Sequence, residues 1–360
     1  LNYTNPQAGC VLGANKGSPD IQFIGLCHEL FGGAQAVQKI INKNYLEEIG
    51  GNKINNWEDL SLKYGGLNHF AWFTDIKYND IDLYPFLREE AKKVGTPAGK
   101  KMPRPFNMFL LDKHHYYPYP GSRHIAEFLP RYYNYFNNKT QTSYWSFPVI
   151  RDVKKLAKWR KYAYRLMKWA ATPFFYTPPA RETPEKAMNM TMDWIASHEE
   201  VSETEHVVNL PNLYQGRKIL AELPEECAVE VPAFFKNGII TPNKSLSLPK
   251  EVVQLVLPHA EQQKLNIDAA LGNDINLVVN AMKHDPMCKF IEDDEKIEYL
   301  TKLMLYYEQE WLPESWNEWI PTERELKESK WWISPTELVV DNEKYLEVKF
   351  PPKNSLKNKA

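Results

Sequence analysis

The residues able to do chemistry in this chain are dispersed along it. Cys27 and His28 stand together in GLCHELFGG, where an apolar run gives way to a helical pattern, and His69 follows Asn68 in GLNHFAWF. A thiolate and a neutral imidazole from separate segments can jointly hold a divalent cation. A histidine near its unperturbed pKa of about 6.5 can donate a proton at neutral pH, which is what His28 offers beside the thiol. On spacing alone, Cys27 reads equally as a buried filler and His69 as a hydrogen-bonded core histidine. Further candidates are Asn5 in LNYTNP and the segment YYPYPGSRH, Tyr116 to His124. Arg123 and His124 there open a helical pattern, near the positive end that favours an anion, and a guanidinium can grip a carboxylate with two bonds. No Walker loop, HExxH, GxSxG or CxxC pair is present, nor a GxGxxG between strand and helix.

Local pattern predicts the elements that must position these groups. LNYTNP reads as a strand entering an Asn-Pro turn, and DIQFIGLC as a second short strand. LFGGAQAVQKIINK predicts a helix with Leu30, Ala34, Val37 and Ile41 on one face. YGGLNHFAWFTDIKYN alternates and predicts a strand, and IDLYPFLREEAKKVG a helix ended by glycine. A Lys/Pro-rich loop then leads to a helix around His124–Tyr135, and residues 151–170 predict a long helix with one strongly basic face. HVVNL reads as a strand, and ECAVEVPAFFKNGIITP as a strand pair turning at Asn237-Gly238. From Pro249 to Tyr307 the pattern is mostly helical; beyond Leu312 it is Trp-rich and less regular.

Bulk properties bound the possibilities. The 360 residues are 43% apolar and 25% charged, as in an ordinary globular protein with a sizeable core. A net charge of −2 gives no global reason to bind nucleic acid or an anionic membrane. The 20 Tyr and 11 Trp suit carbohydrate stacking, large cores and subunit interfaces alike. Four scattered cysteines do not make a disulfide scaffold, which points to a reducing compartment. No run approaches the roughly 18 apolar residues of a spanning helix.

The order of the short motifs carries more. LNYTNP, GLCHE, GLNHFAWF, GSRHIAEFLP and AVEVPAFFKNGI, followed by LNIDAALGNDINLVVNAMKHDP, resemble the family 4 glycoside hydrolases over roughly residues 1 to 312. The resemblance implies an α/β fold with an α+β catalytic part. Residues 1–24 would be the C-terminal end of a Rossmann NAD-binding domain. Residues 25–312 would form a catalytic domain similar to that of lactate and malate dehydrogenases, and 313–360 a Trp-rich extension and tail. It implies NAD and a divalent metal, in the family manganese, and an unusual route: oxidation at C3, deprotonation at C2, elimination, water addition and return of hydride. Such enzymes depart from the usual pair of carboxylates. The substrates expected are α-glycosides or α-glycuronides.

Residue by residue, Cys27 and His69 would be the metal ligands and His28 the acid assisting departure. Asn5 would touch substrate and nicotinamide, while Asn68, Arg123 and His124 would bind substrate. Ser122 stands where many members carry an acidic residue, so the C2 base falls to Tyr119, with Tyr117 as its alternative. Because no dinucleotide fingerprint precedes the Asn-Pro turn, most of the NAD domain is expected to be missing and the chain alone inactive. A cytoplasmic homo-oligomer acting on a small-molecule glycoside, with no nucleic-acid or membrane partner, completes the expectation. Two other readings remain at this point. A 2-hydroxy-acid dehydrogenase relative would use an arginine–histidine pair without metal, and a non-catalytic sugar-binding or assembly protein would use its aromatic surface.

Overall fold

The computed structural model describes residues 1–94, 102–129 and 187–332, apart from 203, 244, 245 and 290, together with 161, 162 and 165. At its centre lies an antiparallel sheet. β1 (Ser61–Leu67) pairs with β2 (Phe70–Tyr78), and β2 with the short β3 (Ile81–Asp82) and β4 (Tyr117–Pro118). On its other edge β1 meets β8 (Ala228–Lys236), which pairs with β5 (His206–Pro211) and β9 (Ile239–Pro242). A separate hairpin joins β6 (Leu213–Tyr214) to β7 (Arg217–Lys218).

Strand side chains alternate between two cores, as a period of two requires. Phe70 and Trp72 pack with Val229, Val231 and Ala233 in one core, completed by Val252, Val256 and Ala260 of the long helix α7 (Lys250–Gly272). Ala71, Phe73 and Ile76 face the other core. There they meet Leu30, Ala34, Val37 and Ile41 of α2 (Glu29–Asn44), the face anticipated from its spacing, and Tyr84 and Leu87 of α3 (Tyr84–Ala91). Helices thus cover both faces of the sheet, an α/β molecule. The remaining helices are α1 (Gln7–Gly17), α4 (Pro105–His114), α5 (Ser122–Glu127), α6 (Ala187–Ala196), α8 (Ile275–His284), α9 (Asp294–Glu308) and α10 (Glu323–Lys327).

Several expectations hold. HVVNL is β5, the run Pro249–Tyr307 is three helices, and Asn237 (φ 52°) and Gly238 (φ 72°) turn β8 into β9 with both residues left-handed. Others are corrected. The single strand expected over YGGLNHFAWFTDIKYN is a hairpin, β1 and β2, with Asn68-His69 as its turn. LNYTNP and DIQFIGLC form no regular strands: only Asn2 and Gly25 bridge, because the intervening residues fold into α1. The Lys/Pro-rich region continues into α4, with Pro105 at the helix start where its missing N–H costs nothing. α5 begins at Ser122, two residues before the expected His124, and ends at Glu127; residues 130–135 of that expected helix lie outside the described residues. The basic helix over 151–170 falls outside the described residues except Lys161, Tyr162 and Arg165, which are helical and exposed.

Candidate functional site

The site grows from a row of residues crossing the sheet. Glu230 on β8 stands opposite Gly66 of β1 and Asn209 of β5, and Asn209 bridges to Gly25, two residues before Cys27. Gln7 of α1 fixes the same stretch by donating to the Leu26 carbonyl at 2.6 Å. Cys27 is buried, and His28 caps the start of α2 with its ring half exposed. Burial and the nearby Glu230 charge push the Cys27 thiol well up, so it holds its proton; the Asn68 side chain and the Glu29 backbone N–H pull the other way.

His69 occupies the second position of the β1–β2 turn with φ 63°, a left-handed backbone that a non-glycine residue adopts at a cost. Its ring stacks on His124, centroids 4.1 Å apart. Burial, then the charge of His124, lowers its pKa to about 4. His69 is therefore a neutral imidazole at physiological pH, the form that ligates metals. Asn68, beside it, donates to Glu230 Oε2 at 3.0 Å.

Glu29 gathers the other side. Its Oε2 accepts from the Gly121 N–H at 2.6 Å, and its Oε1 lies 3.6 Å from His124 Nε2 and 4.0 Å from His28 Nε2. Arg104 reaches the same carboxylate at 3.8 Å and also donates to the Tyr119 carbonyl. Gly33 lets α2 lie directly on this segment, since a Cβ there would stand 2.5 Å from Tyr119 Cβ. Arg123 Nε is 3.8 Å from Glu127 Oε1, too long for a hydrogen bond. Arg123 Nε and Nη2 and His124 Nδ1 are buried without a hydrogen-bond partner among the described residues.

The residue expected as the base is packed inside the sheet. The Tyr119 hydroxyl is fully buried and donates to Glu230 Oε1 at 2.6 Å. Burial and the Glu230 carboxylate hold this phenol well above its ordinary range. Tyr117 is equally buried and raised to about 12 by burial. Ser122 donates to Asn107 Oδ1 at 2.6 Å, and Asn107 in turn donates to the carbonyls of Pro118 and Pro120. These side chains brace the 117–122 segment. Asn5 is exposed, ahead of α1.

Two residues missed by sequence reasoning are central here. Glu230 lies in the otherwise apolar run AVEVPAFF, and a lone acid in a strand buried on both faces is a detectable signal. Burial holds its carboxyl above the ordinary carboxylate range, against the pull of Tyr119, Asn209 and Asn68. Glu29 gave no signal, since acids are common in a helix's first turn.

Cys27 borders a cavity of about 550 Å³ whose wall includes Phe31, Trp57, Tyr64 and His206. Aromatic walls of this kind stack well on sugars. A larger hollow of about 980 Å³ lies around Lys283, Trp319 and Trp331, far from this chemistry. Its charged groups are spent on one another or on near neighbours: Lys283 on Asp294, Lys302 on Glu298 and Lys330 on Glu295.

The donors fit a divalent cation in part. A neutral imidazole offers its lone pair, and a thiol yields its proton when a cation binds. Among the described residues no three His, Cys, Asp or Glu side chains converge as a complete cage, so other ligands must fill the shell. A dinucleotide's pyrophosphate calls for a glycine-rich loop at a helix N-terminus, and these 360 residues carry no GxGxxG. Among the described residues no helix is long and apolar enough to cross a membrane.

Comparison with known proteins gives the ancestry. Residues 64–288 match the family 4 glycosyl hydrolase C-terminal domain. An alpha-galacturonidase of Lachnoclostridium phytofermentans is 27% identical over 347 residues, 88% of this chain and 67% of that protein. The alpha-galacturonidase of Bacillus subtilis is 30% identical over 309 residues, 82% of this chain and 64% of its own length. The chain thus spans about two thirds of these relatives. The crystal structure of the Bacillus subtilis glucosidase lplD superposes with a TM-score of 0.69 at 26% identity, covering 84% of this chain and 68% of that one. A 6-phospho-alpha-glucosidase from gut microorganisms, in complex with NAD and Mn2+, shares the fold with a TM-score of 0.64 at 17% identity, over 87% of this chain and 68% of that one. With the family model matching well over half its length, the chain belongs to the family 4 glycosyl hydrolases.

Proposed function

We propose that this chain handles the sugar of an α-galacturonide, or a closely related α-glycuronide, in a glycosidase reaction, with a divalent cation held by Cys27 and His69. One observation carries this reading. Arg123, 30% exposed and 3.8 Å from Glu127, has Nε and Nη2 buried without hydrogen-bond partners among the described residues, on the same short helix as the ring that stacks on His69. A guanidinium so placed suits a carboxylate, which accepts two parallel bonds from it. The alpha-galacturonidases among its relatives support the same choice. In this reading residues 1–24 close a nucleotide-binding domain and 25–312 form the catalytic part.

A bound cation, manganese by family resemblance, supplies Lewis acidity toward sugar oxygens. The chain's own residues do the rest. Cys27 and His69 would hold the cation. Asn68 is aimed by its bond to Glu230. His28, half exposed and 4.0 Å from Glu29, donates the proton that the departing oxygen needs. Tyr119 braces the site through its bond to Glu230. Asn5 keeps only the contact role that resemblance gives it.

The direct readout is binding rather than turnover. With Mn2+ present, calorimetry is expected to find galacturonate bound roughly 10–100-fold more tightly than galactose, the worth of hydrogen bonds to a charged group. Arg123→Gln should erase that preference and leave galactose unaffected. Equal binding of the two sugars by the unaltered chain would refute the uronide reading. Undiminished Mn2+ binding by Cys27→Ser would refute the cation site.

A further inference from the structure

Glu230 is fully buried, yet its carboxylate is not idle. Oε1 accepts from the Tyr119 hydroxyl at 2.6 Å; Oε2 accepts from the Asn68 amide at 3.0 Å and the Asn209 amide at 2.9 Å. The three donors come from separate parts of the chain. Asn68 sits on the β1–β2 turn beside His69, Tyr119 leads into Arg123 and His124, and Asn209 is bridged to Gly25 just before Cys27. One side chain thus ties together every segment that contributes to the candidate site. The turn it holds also needs holding. A non-glycine residue at φ 63°, as His69 is, persists only where its surroundings over-determine it.

We infer that Glu230 is a positioning residue: through Asn68 it fixes the His69 ring on His124, and with it the imidazole that the cation reading pairs with Cys27. The inference rests on the reading of Cys27 and His69 as the cation site. Groups that orient a metal's ligands from behind typically change affinity by roughly 10–100-fold when removed. Glutamine can replace the carboxylate almost silently. Its carbonyl oxygen accepts from both amides, and its NH2 donates to the Tyr119 oxygen once that hydroxyl turns round. Alanine leaves all three donors without a partner.

The test uses the chain as it stands, with Mn2+ alone as probe and the His69 and His124 ring resonances as a metal-free readout. Those resonances shift each other because the rings stack. Glu230→Ala is expected to weaken Mn2+ binding roughly 10–100-fold and move the ring resonances toward those of free imidazole, while cooperative unfolding persists. Glu230→Gln should restore both. Should Glu230→Ala not fold, Asn68→Ala removes one contact and must give the same pair of changes. Stacked resonances and Mn2+ affinity left intact by a folded Glu230→Ala or Asn68→Ala would overturn the inference. Cys27→Ser separates the two ideas, since it must abolish Mn2+ binding yet leave the ring stack in place. If the unaltered chain takes up no Mn2+, the cation reading falls, and the metal-free resonances still decide whether Glu230 positions His69.

Discussion

A Cβ added at Gly33 would stand 2.5 Å from Tyr119 Cβ and 2.6 Å from the Tyr119 carbonyl oxygen, both inside contact distance. The second obstacle is backbone, so it cannot simply rotate away. We expect Gly33→Ala to destabilise the protein by about 1–3 kcal/mol, as overpacking does, despite a gain in helix propensity of under about 1 kcal/mol. Gly13, inside α1 with nothing within 4 Å of its Cβ position, is the matched control. There the same change should stabilise by up to about 1 kcal/mol. Urea unfolding of the two variants measures both. At this scale the sequence singled out Cys27, His69, Arg123 and His124 by type, but not what they touch. For Tyr119 the sequence shows a phenol but not the carboxylate it donates to. Glu29 was invisible for a related reason: a helix-start acid has a sufficient local explanation, and the N–H of Gly121 that it accepts is 92 residues away.

Elements with a strong local cause were legible, and those whose cause is distant were not. The Asn237-Gly238 turn follows from two residues that tolerate left-handed backbone. The Asn68-His69 turn lacks such a signal, because its backbone is held by a bond from Asn68 to a strand 162 residues away. α4 was missed because its apolar residues lie all round it: Phe106, Met108, Leu110 and Leu111 are all buried. α7 contains Pro258 and still continues over Lys250–Gly272, with apolar packing on the sheet sustaining it. The loop between β5 and β8 has its own anchor. Asn212, fully buried, donates to the carbonyls of Leu220, Leu223 and Pro224 and accepts from the Leu220 N–H at 2.8 Å. Asn212→Ala strands these backbone groups, and a buried group left unpaired costs about 1–3 kcal/mol. Hydrogen exchange should therefore quicken across 212–224 in that variant. Unchanged protection there would mean that the β6–β7 hairpin holds the loop without it.

The whole molecule is a sheet whose key pairings are long-range, and this is what sequence pattern does not encode. Residues 27, 69, 124 and 230 become neighbours through β1 meeting β8 and α2 crossing the sheet, whereas periodicity reports only which face is apolar. The opposite core is tied across similar distances by His259 of α7. Its Nε2 bonds the Phe128 carbonyl at 2.8 Å, so that nitrogen must carry the proton, and its ring packs edge-on against Phe70 and Phe128. Burial lowers the His259 pKa; the bond to Phe128 and the charge of Asp285 oppose that, and Lys289 adds to it. The sign follows. Below about pH 6.5 the unfolded chain takes a proton on this ring before the folded one does. Stability from His259 is thus complete above about pH 6.5 and is lost as the pH falls from there toward the folded-state pKa, by at most about 1.4 kcal/mol per unit. His259→Gln keeps a donor for Phe128 but cannot titrate. Other ionisable groups are common to both proteins and cancel in the difference. In urea titrations, the stability gap between the unaltered protein and His259→Gln should be constant above about pH 7 and should narrow, or reverse, by about pH 5.5. A gap independent of pH would mean that His259 titrates alike in the folded and unfolded chain, and that its burial between α7 and the sheet is not sustained in solution.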